Sequence, residues 1–151
     1  MVSLKNLKRA TMIKKYKILS KFVKDMSSET KDIETYLFVK ERISKYKLGI
    51  DITSRVLKNK IIEVSTTLNF QDKEKVDKKS YFEIIFLTIV KIEDNVTEKK
   101  DLEKIILCDV QIEIYNDLEK SILNLLQNSG YPVIKLEKKI DFENLYKQKT
   151  N

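Results

Sequence analysis

The segment Ser80–Ile92, SYFEIIFLTIVKI, is apolar on both faces that a strand presents. Phe82, Ile84, Phe86, Val90 and Ile92 fall on one side, and Tyr81, Ile85, Leu87 and Ile89 on the other. Side chains alternate across a strand, so such a segment sits inside a sheet and needs cover twice. The chain's own helices supply one cover; a partner subunit or a ligand is the expected source of the other.

Three further segments read as strands. Tyr16–Met26 carries Tyr16, Ile18 and Phe22 in alternation with Lys17 and Lys21, but Leu19 and Val23 fall out of phase. Ile43–Thr53 alternates cleanly, with Tyr46, Leu48, Ile50 and Ile52 opposite Lys45, Lys47, Gly49 and Asp51. After a polar break at 55–60, Ile62, Val64, Thr66, Leu68 and Phe70 face one way, with Glu63, Ser65, Thr67 and Asn69 opposite. The connection Gln71–Lys79 is charged and reads as an exposed, mobile tip.

Beyond Lys99 the period changes to that of a helix. Leu102, Ile105 and Ile106 keep helical spacing behind Asp101, an acid suited to a helix N-terminus. Asn116 reads as the N-cap of a second helix with Leu118, Ile122, Leu125 and Leu126 on one stripe. Gly130 fits the left-handed position after that helix, and Pro132 blocks continuation. A short last helix is expected from Asp141 to about Lys149, with Phe142 and Leu145 inward. Strands grouped ahead of helices give an α+β class: a four-stranded antiparallel sheet with two main helices on one face and a short C-terminal helix.

The 151 residues suit one domain, with 42% hydrophobic and 35% charged residues, 2 Gly and 1 Pro. Six of the 30 Lys+Arg lie between Met1 and Lys17 with no acid among them, leaving 24 against 23 Asp+Glu from Ile18 onward. The basicity, formally +7 overall, belongs to a terminal arm, and the domain organisation is a disordered basic arm over 1–15 followed by a single domain over 16–149. Three accounts of the arm stay open: a solvated terminus, a contact for nucleic acid or lipid head groups, or a gene start misplaced upstream of Met12.

With no His, the chain has no Ser-His-Asp or Cys-His nucleophile, no His-ligated zinc and no imidazole acid–base chemistry. Cys108 stands alone in an apolar run and reads as a small buried hydrophobe, in keeping with a reducing, cytoplasmic compartment. No stretch reaches the roughly 18–20 apolar residues of a membrane span, and Lys5, Lys8 and Arg9 interrupt any secretory apolar core. Two distant glycines make no phosphate loop, and the pairs Glu93/Asp94 and Asp72/Glu74 lie beside lysines as solvated charge runs. No enzyme and no cofactor are expected. Tyr46 between Lys45 and Lys47 lacks the glycine-rich context of an RNA-stacking strand, so nucleic acid has only the arm in its favour. What is left over is apolar surplus: Ile33, Tyr36, Leu37, Phe38 and Val39 in a connection that reads as irregular. Exposed apolar surface of that kind marks binding or self-association.

The order of elements and several short motifs together resemble the SecB family of protein-export chaperones. The stretch 22–29, FVKDMSSE, is similar to the family's K-D-x-S-x-E signature; 80–92 resembles its fourth strand, with Glu83 at the acidic position; and 129–146, SGYPVIKLEKKIDFENLY, resembles its G-x-F/Y-P segment and following helix. Ser28 stands where the family has an aromatic residue, and Lys147-Gln148-Lys149 stand in place of an acidic tail.

The resemblance implies a cytoplasmic, ATP-independent holdase that captures unfolded preproteins in apolar grooves and delivers them to the SecA motor. It implies a homotetramer, a dimer of dimers. It also implies client contacts through Ile33, Tyr36, Leu37, Phe38 and Val39, in a crossover segment that lines the client groove together with the second helix. SecA contacts would come from Asp25, Glu29, Tyr81 and Glu83. A chaperone dedicated to a toxin–antitoxin pair is the alternative within the class, and a basic nucleic-acid-binding module the alternative outside it. Steep loss of binding with salt would mark the last.

Overall fold

The structure, a computed structural model, describes residues 14–131, 135–136 and 140–150. The expected arm over 1–15 and the role of Pro132 fall almost wholly outside these residues. Four strands, β1 (Tyr16–Glu29), β2 (Lys47–Lys58), β3 (Ile61–Gln71) and β4 (Tyr81–Ile92), form one antiparallel sheet in the order β1-β4-β3-β2. The helices are α1 (Ile33–Arg42), α2 (Lys99–Lys104), α3 (Val110–Asn128) and α4 (Phe142–Thr150). The α+β layer expected from the sequence is therefore what the chain forms.

The core lies between one face of the sheet and α3. Ile62, Val64, Leu68 and Phe70 of β3, with Phe82, Ile84, Phe86, Val90 and Ile92 of β4, meet Val110, Ile114, Leu118, Ile122, Leu125 and Leu126. Among the described residues no helix lies over the opposite face of β4. There Tyr81 is exposed and Ile85 and Ile89 are half-buried between neighbouring strands, while Leu87, opposite Phe22, is buried.

Several local readings are corrected by the structure. The two helices expected around Asp101 and Asn116 run on without a break, because a π turn at Ile105–Asp109 joins α2 to α3. Asn116 is an exposed mid-helix residue, not a cap. The extra residue of the π turn shifts the helical phase, so Ile105, Ile106, Cys108, Val110 and Gln111 are all buried. That phase shift is what makes one helix read as two.

The irregular connection over 33–39 is the helix α1. Asp32 caps it, accepting from the Thr35 amide at 2.8 Å and from the Thr35 hydroxyl, which together hold the Asp32 carboxyl below its ordinary range. A single 3₁₀ turn at Ile43–Lys45 follows, so β2 begins later than its alternation suggests. At its other end β2 continues through the polar break to a two-residue turn at Asn59–Lys60. Lys60 there is left-handed with φ 58°, and a bulge at Leu57 upsets the alternation.

The 71–79 connection is anchored at its base. Asp72 is buried and accepts from Arg42 at 3.0 Å, while Lys79 donates to the Asp72 carbonyl at 3.1 Å. Leu145, expected inward, is partly exposed, whereas Phe142 is buried edge-on against Tyr115 with ring centroids 5.9 Å apart.

α3 ends in a Schellman turn. The Gly130 amide donates to Gln127 at 3.1 Å and the Tyr131 amide to Leu126 at 2.9 Å. Gly130 has φ +99°, and a Cβ there would lie 2.8 Å from the Tyr36 ring, so only glycine fits. Tyr36 in turn donates to the Gly130 carbonyl at 2.9 Å and packs on Tyr131 at 5.4 Å. This contact seats α1 against the end of α3.

Gln111 is the buried polar group that serves the π turn. Its amide donates to the Ile106 carbonyl at 3.2 Å, and its oxygen accepts from the Thr66 hydroxyl of β3 at 2.9 Å. A partner lost in the interior costs the full desolvation of what remains, about 1–3 kcal/mol. Gln111→Leu is expected to lower unfolding stability in urea by about 2 kcal/mol, and adding Thr66→Val should recover part of that loss. Additive losses in the double variant would show that the two side chains do not act together.

Candidate functional site

β1 carries two bulges, between Ile18 and Ser20 and between Val23 and Asp25. Each extra residue reverses which face the following side chains take. Tyr16 and Ile18 therefore face the helices, Ser20 and Phe22 face away, Lys21 and Val23 face the helices, and Asp25, Ser27 and Glu29 face away again. This is why Leu19 and Val23 read as out of phase.

The second bulge builds the acidic patch. Paired residues on antiparallel strands share a face, and Asp25 pairs with Ile85, Ser27 with Glu83 and Glu29 with Tyr81. Asp25, Glu29, Tyr81 and Glu83, singled out in sequence for contact with SecA, thus share one end of the uncovered face. Tyr81 is 58% exposed, and the three acids are exposed around it. Ser27 donates to Asp25 at 3.0 Å. Beside Tyr81 and Glu29 opens a cleft of about 290 Å³, whose other wall includes Lys78 and Lys79 of the β3–β4 connection.

Of the residues marked for client contact, the helical form of α1 separates two groups. Ile33 and Leu37, four residues apart and hence on one face, are 61% and 54% exposed. Val39 is fully buried in the core, and Tyr36 is half-buried and engaged with Gly130 and Tyr131. Phe38 is half-buried with the Arg42 guanidinium 5.7 Å from its ring centre. Arg42 also reaches Asp72 at 3.0 Å and Glu74 at 2.9 Å, fastening the end of α1 to the β3–β4 connection. Those contacts hold both carboxyls below their ordinary range, in Asp72 against the opposing effect of burial and with help from the Glu74 amide.

A second apolar recess was not singled out in the sequence. Ile50 and Ile52 of β2, Leu107 of the π turn, and Leu145 and Tyr146 of α4 line a groove of about 270 Å³. Ile50 and Ile52 lie on the side of β2 that its alternation groups with Tyr46 and Leu48, and Leu145 is the residue expected inward. The signal available was the brevity of α4, nine residues that cannot cover twelve residues of β2.

Cys108 is buried, and burial, with Asp109 beside it, pushes its thiol up, away from the reactive thiolate. Among the described residues no group of three or more acids and cysteines is placed to hold a metal ion. No described helix is long and apolar enough to cross a membrane.

The family model described as preprotein translocase subunit SecB matches residues 9–151. A curated relative from Pelagibacter ubique that carries a protein-export SecB name is 59% identical over 140 residues, covering 93% of this chain and 100% of the relative. Among solved structures, a SecB-like chaperone of Mycobacterium tuberculosis in complex with a ChAD peptide from an antitoxin superposes with a TM-score of 0.63 at 9% identity. The match covers 83% of this chain and 88% of that one. A Streptococcus agalactiae protein of unknown function superposes with a TM-score of 0.50 at 12% identity, over 82% and 97% of the two chains. At such identities the structural likenesses speak for the fold alone, whereas the family model and the close relative fix the lineage: this chain belongs to the SecB family of protein-export chaperones.

Proposed function

We propose that this chain is a cytoplasmic, ATP-independent holdase that keeps preproteins unfolded and passes them to SecA. The observation that carries the reading is the exposure of Ile33 and Leu37 on one face of a helix that its own core contacts hold in place. Capture is by apolar burial, without catalysis or cofactor: an unfolded segment covers these side chains and the Ile50–Ile52 recess and is released without a covalent step. Tyr36, Phe38 and Val39 act behind that surface by holding α1 on the domain.

Export is favoured over a toxin–antitoxin role because the close relative carries an export name, while the antitoxin-bound neighbour shares only the fold. Handing on to SecA is assigned to Asp25, Glu29, Tyr81 and Glu83, exposed side chains along one end of the sheet face whose acids suit a basic partner surface. The long exposed edge of β1 supports assembly into a homotetramer, a dimer of dimers.

Ile33→Ser with Leu37→Ser is expected to weaken retention of an unfolded preprotein about thirtyfold, given roughly 1 kcal/mol for each half-covered side chain. The urea midpoint should stay unchanged, because neither residue is in the core. Unaltered retention would remove α1 from the client surface.

Asp25→Lys with Glu83→Lys should abolish co-elution with SecA and leave client retention intact; equal co-elution would count against the patch. Light scattering at micromolar concentration is expected to give four times the mass of the 17.9 kDa chain, and a monomer would contradict the assembly.

A further inference from the structure

The strand register collects basic residues at the sheet end opposite the acidic patch. Tyr16 pairs with Ile92, Ile62 with Val90 and Val56 with Ile62, so the start of β1, the end of β4 and the β2–β3 hairpin lie side by side. The Ile92 amide donates to Lys60 at 2.7 Å and the Glu93 amide to Lys15 at 2.9 Å, tying the three together.

This end carries Lys14, Lys15, Lys17, Lys58, Lys60 and Lys91, all exposed. Lys60 pairs with Asp94, and Arg55 pairs with Glu63 at 2.8 Å. Among the described residues no ion pair engages Lys14, Lys15, Lys17, Lys58 or Lys91. Glu93 is then the remaining acid beside five cations, whereas Asp25, Glu29 and Glu83 gather at the far end. Before Lys14 the sequence adds Lys5, Lys8 and Arg9 and no acid.

At the tip of the same hairpin Val56 is 70% exposed and Leu57 44% exposed. Two adjacent aliphatic side chains in water, next to Lys58 and Lys60, match a surface that is apolar a few ångströms below a layer of negative charge. Nucleic acid offers the charge but no place for Val56 and Leu57. Nor do the described residues of this end offer a free aromatic ring to stack on bases, since Tyr16 is half-buried and donates to Glu113 at 2.7 Å.

We infer that this end of the sheet docks on anionic lipid bilayers, with Val56 and Leu57 entering the headgroup layer and Lys17, Lys58 and Lys91 reaching lipid phosphates. The contact is peripheral and reversible, as expected for a few basic residues and two short side chains. It leaves the acidic end and the exposed face of α1 pointing away from the bilayer and free for protein partners.

The test is co-sedimentation of the full chain with extruded vesicles, either pure phosphatidylcholine or phosphatidylcholine mixed with phosphatidylglycerol. Retention is expected on the mixed vesicles alone, falling as salt rises and the Debye length shortens. Lys58→Ala and Lys91→Ala should each weaken retention about fivefold. Val56→Ser with Leu57→Ser should weaken it about tenfold, with the circular dichroism spectrum unchanged because both side chains are exposed. Retention of unfolded preprotein should be untouched in all these variants, which separates this surface from client capture. Equal retention on neutral vesicles, or none on either, overturns the proposal. So does undiminished retention of the Val56→Ser/Leu57→Ser protein, and if that protein also binds a short DNA duplex, the end is a nucleic-acid contact instead.

Discussion

One face of the sheet is buried beneath α3, and nearly every exposed feature follows from that asymmetry. A single helix stripe of Val110, Ile114, Leu118, Ile122 and Leu125 covers the inner sides of β3 and β4. It does not reach the full length of β1 or β2. Val23 and Met26 of β1 and Val56 of β2 therefore remain exposed although they face the helix layer. A monomer of this length could bury more apolar surface with one more helix. What it has instead is a surface in which apolar side chains stand beside charged ones at several separate places.

The elements with an uninterrupted period were legible in the sequence. β3 alternates without a bulge, and its buried residues are those expected; so is the doubly apolar character of β4, and the stripe on α3. The misread places are those where one residue is inserted into a period. Leu19 and Lys24 each shift β1, Leu57 shifts β2, and the π turn shifts the helix that follows β4. Alternation arguments assume a constant phase, so an insertion looks like a break or a loss of sidedness. The acidic patch was found residue by residue through resemblance, yet its coherence as one surface depends on the bulge at Lys24, which no composition or spacing argument reveals.

α1 was hidden for another reason. Tyr36-Leu37-Phe38-Val39 is a run of strand-prone residues, and only the Asp32–Thr35 cap argues for a helix locally. Tertiary contacts decide the matter. Tyr36, Tyr131, Phe82, Phe70 and Tyr46 form a chain of rings with centroids 5.4–6.3 Å apart, from α1 across the end of α3 into the sheet. Tyr46 also accepts a hydrogen bond from the Ser80 amide at 3.1 Å, at the start of β4. The aromatic residues that looked like surplus binding surface are partly the clamp that presents Ile33 and Leu37.

The strand order β1-β4-β3-β2 also governs the sequence of events during synthesis. β1 leaves the ribosome ahead of the other described strands, and its partner among them is β4, so Glu29 has none of these strands beside it until Tyr81 has been made, and Tyr16 none until Ile92. The β2–β3–β4 meander can assemble from near neighbours while β1 waits. For that interval Leu19, Phe22, Val23 and Met26 belong to an unpaired apolar segment, so the nascent chain itself exposes the kind of surface that chaperones bind.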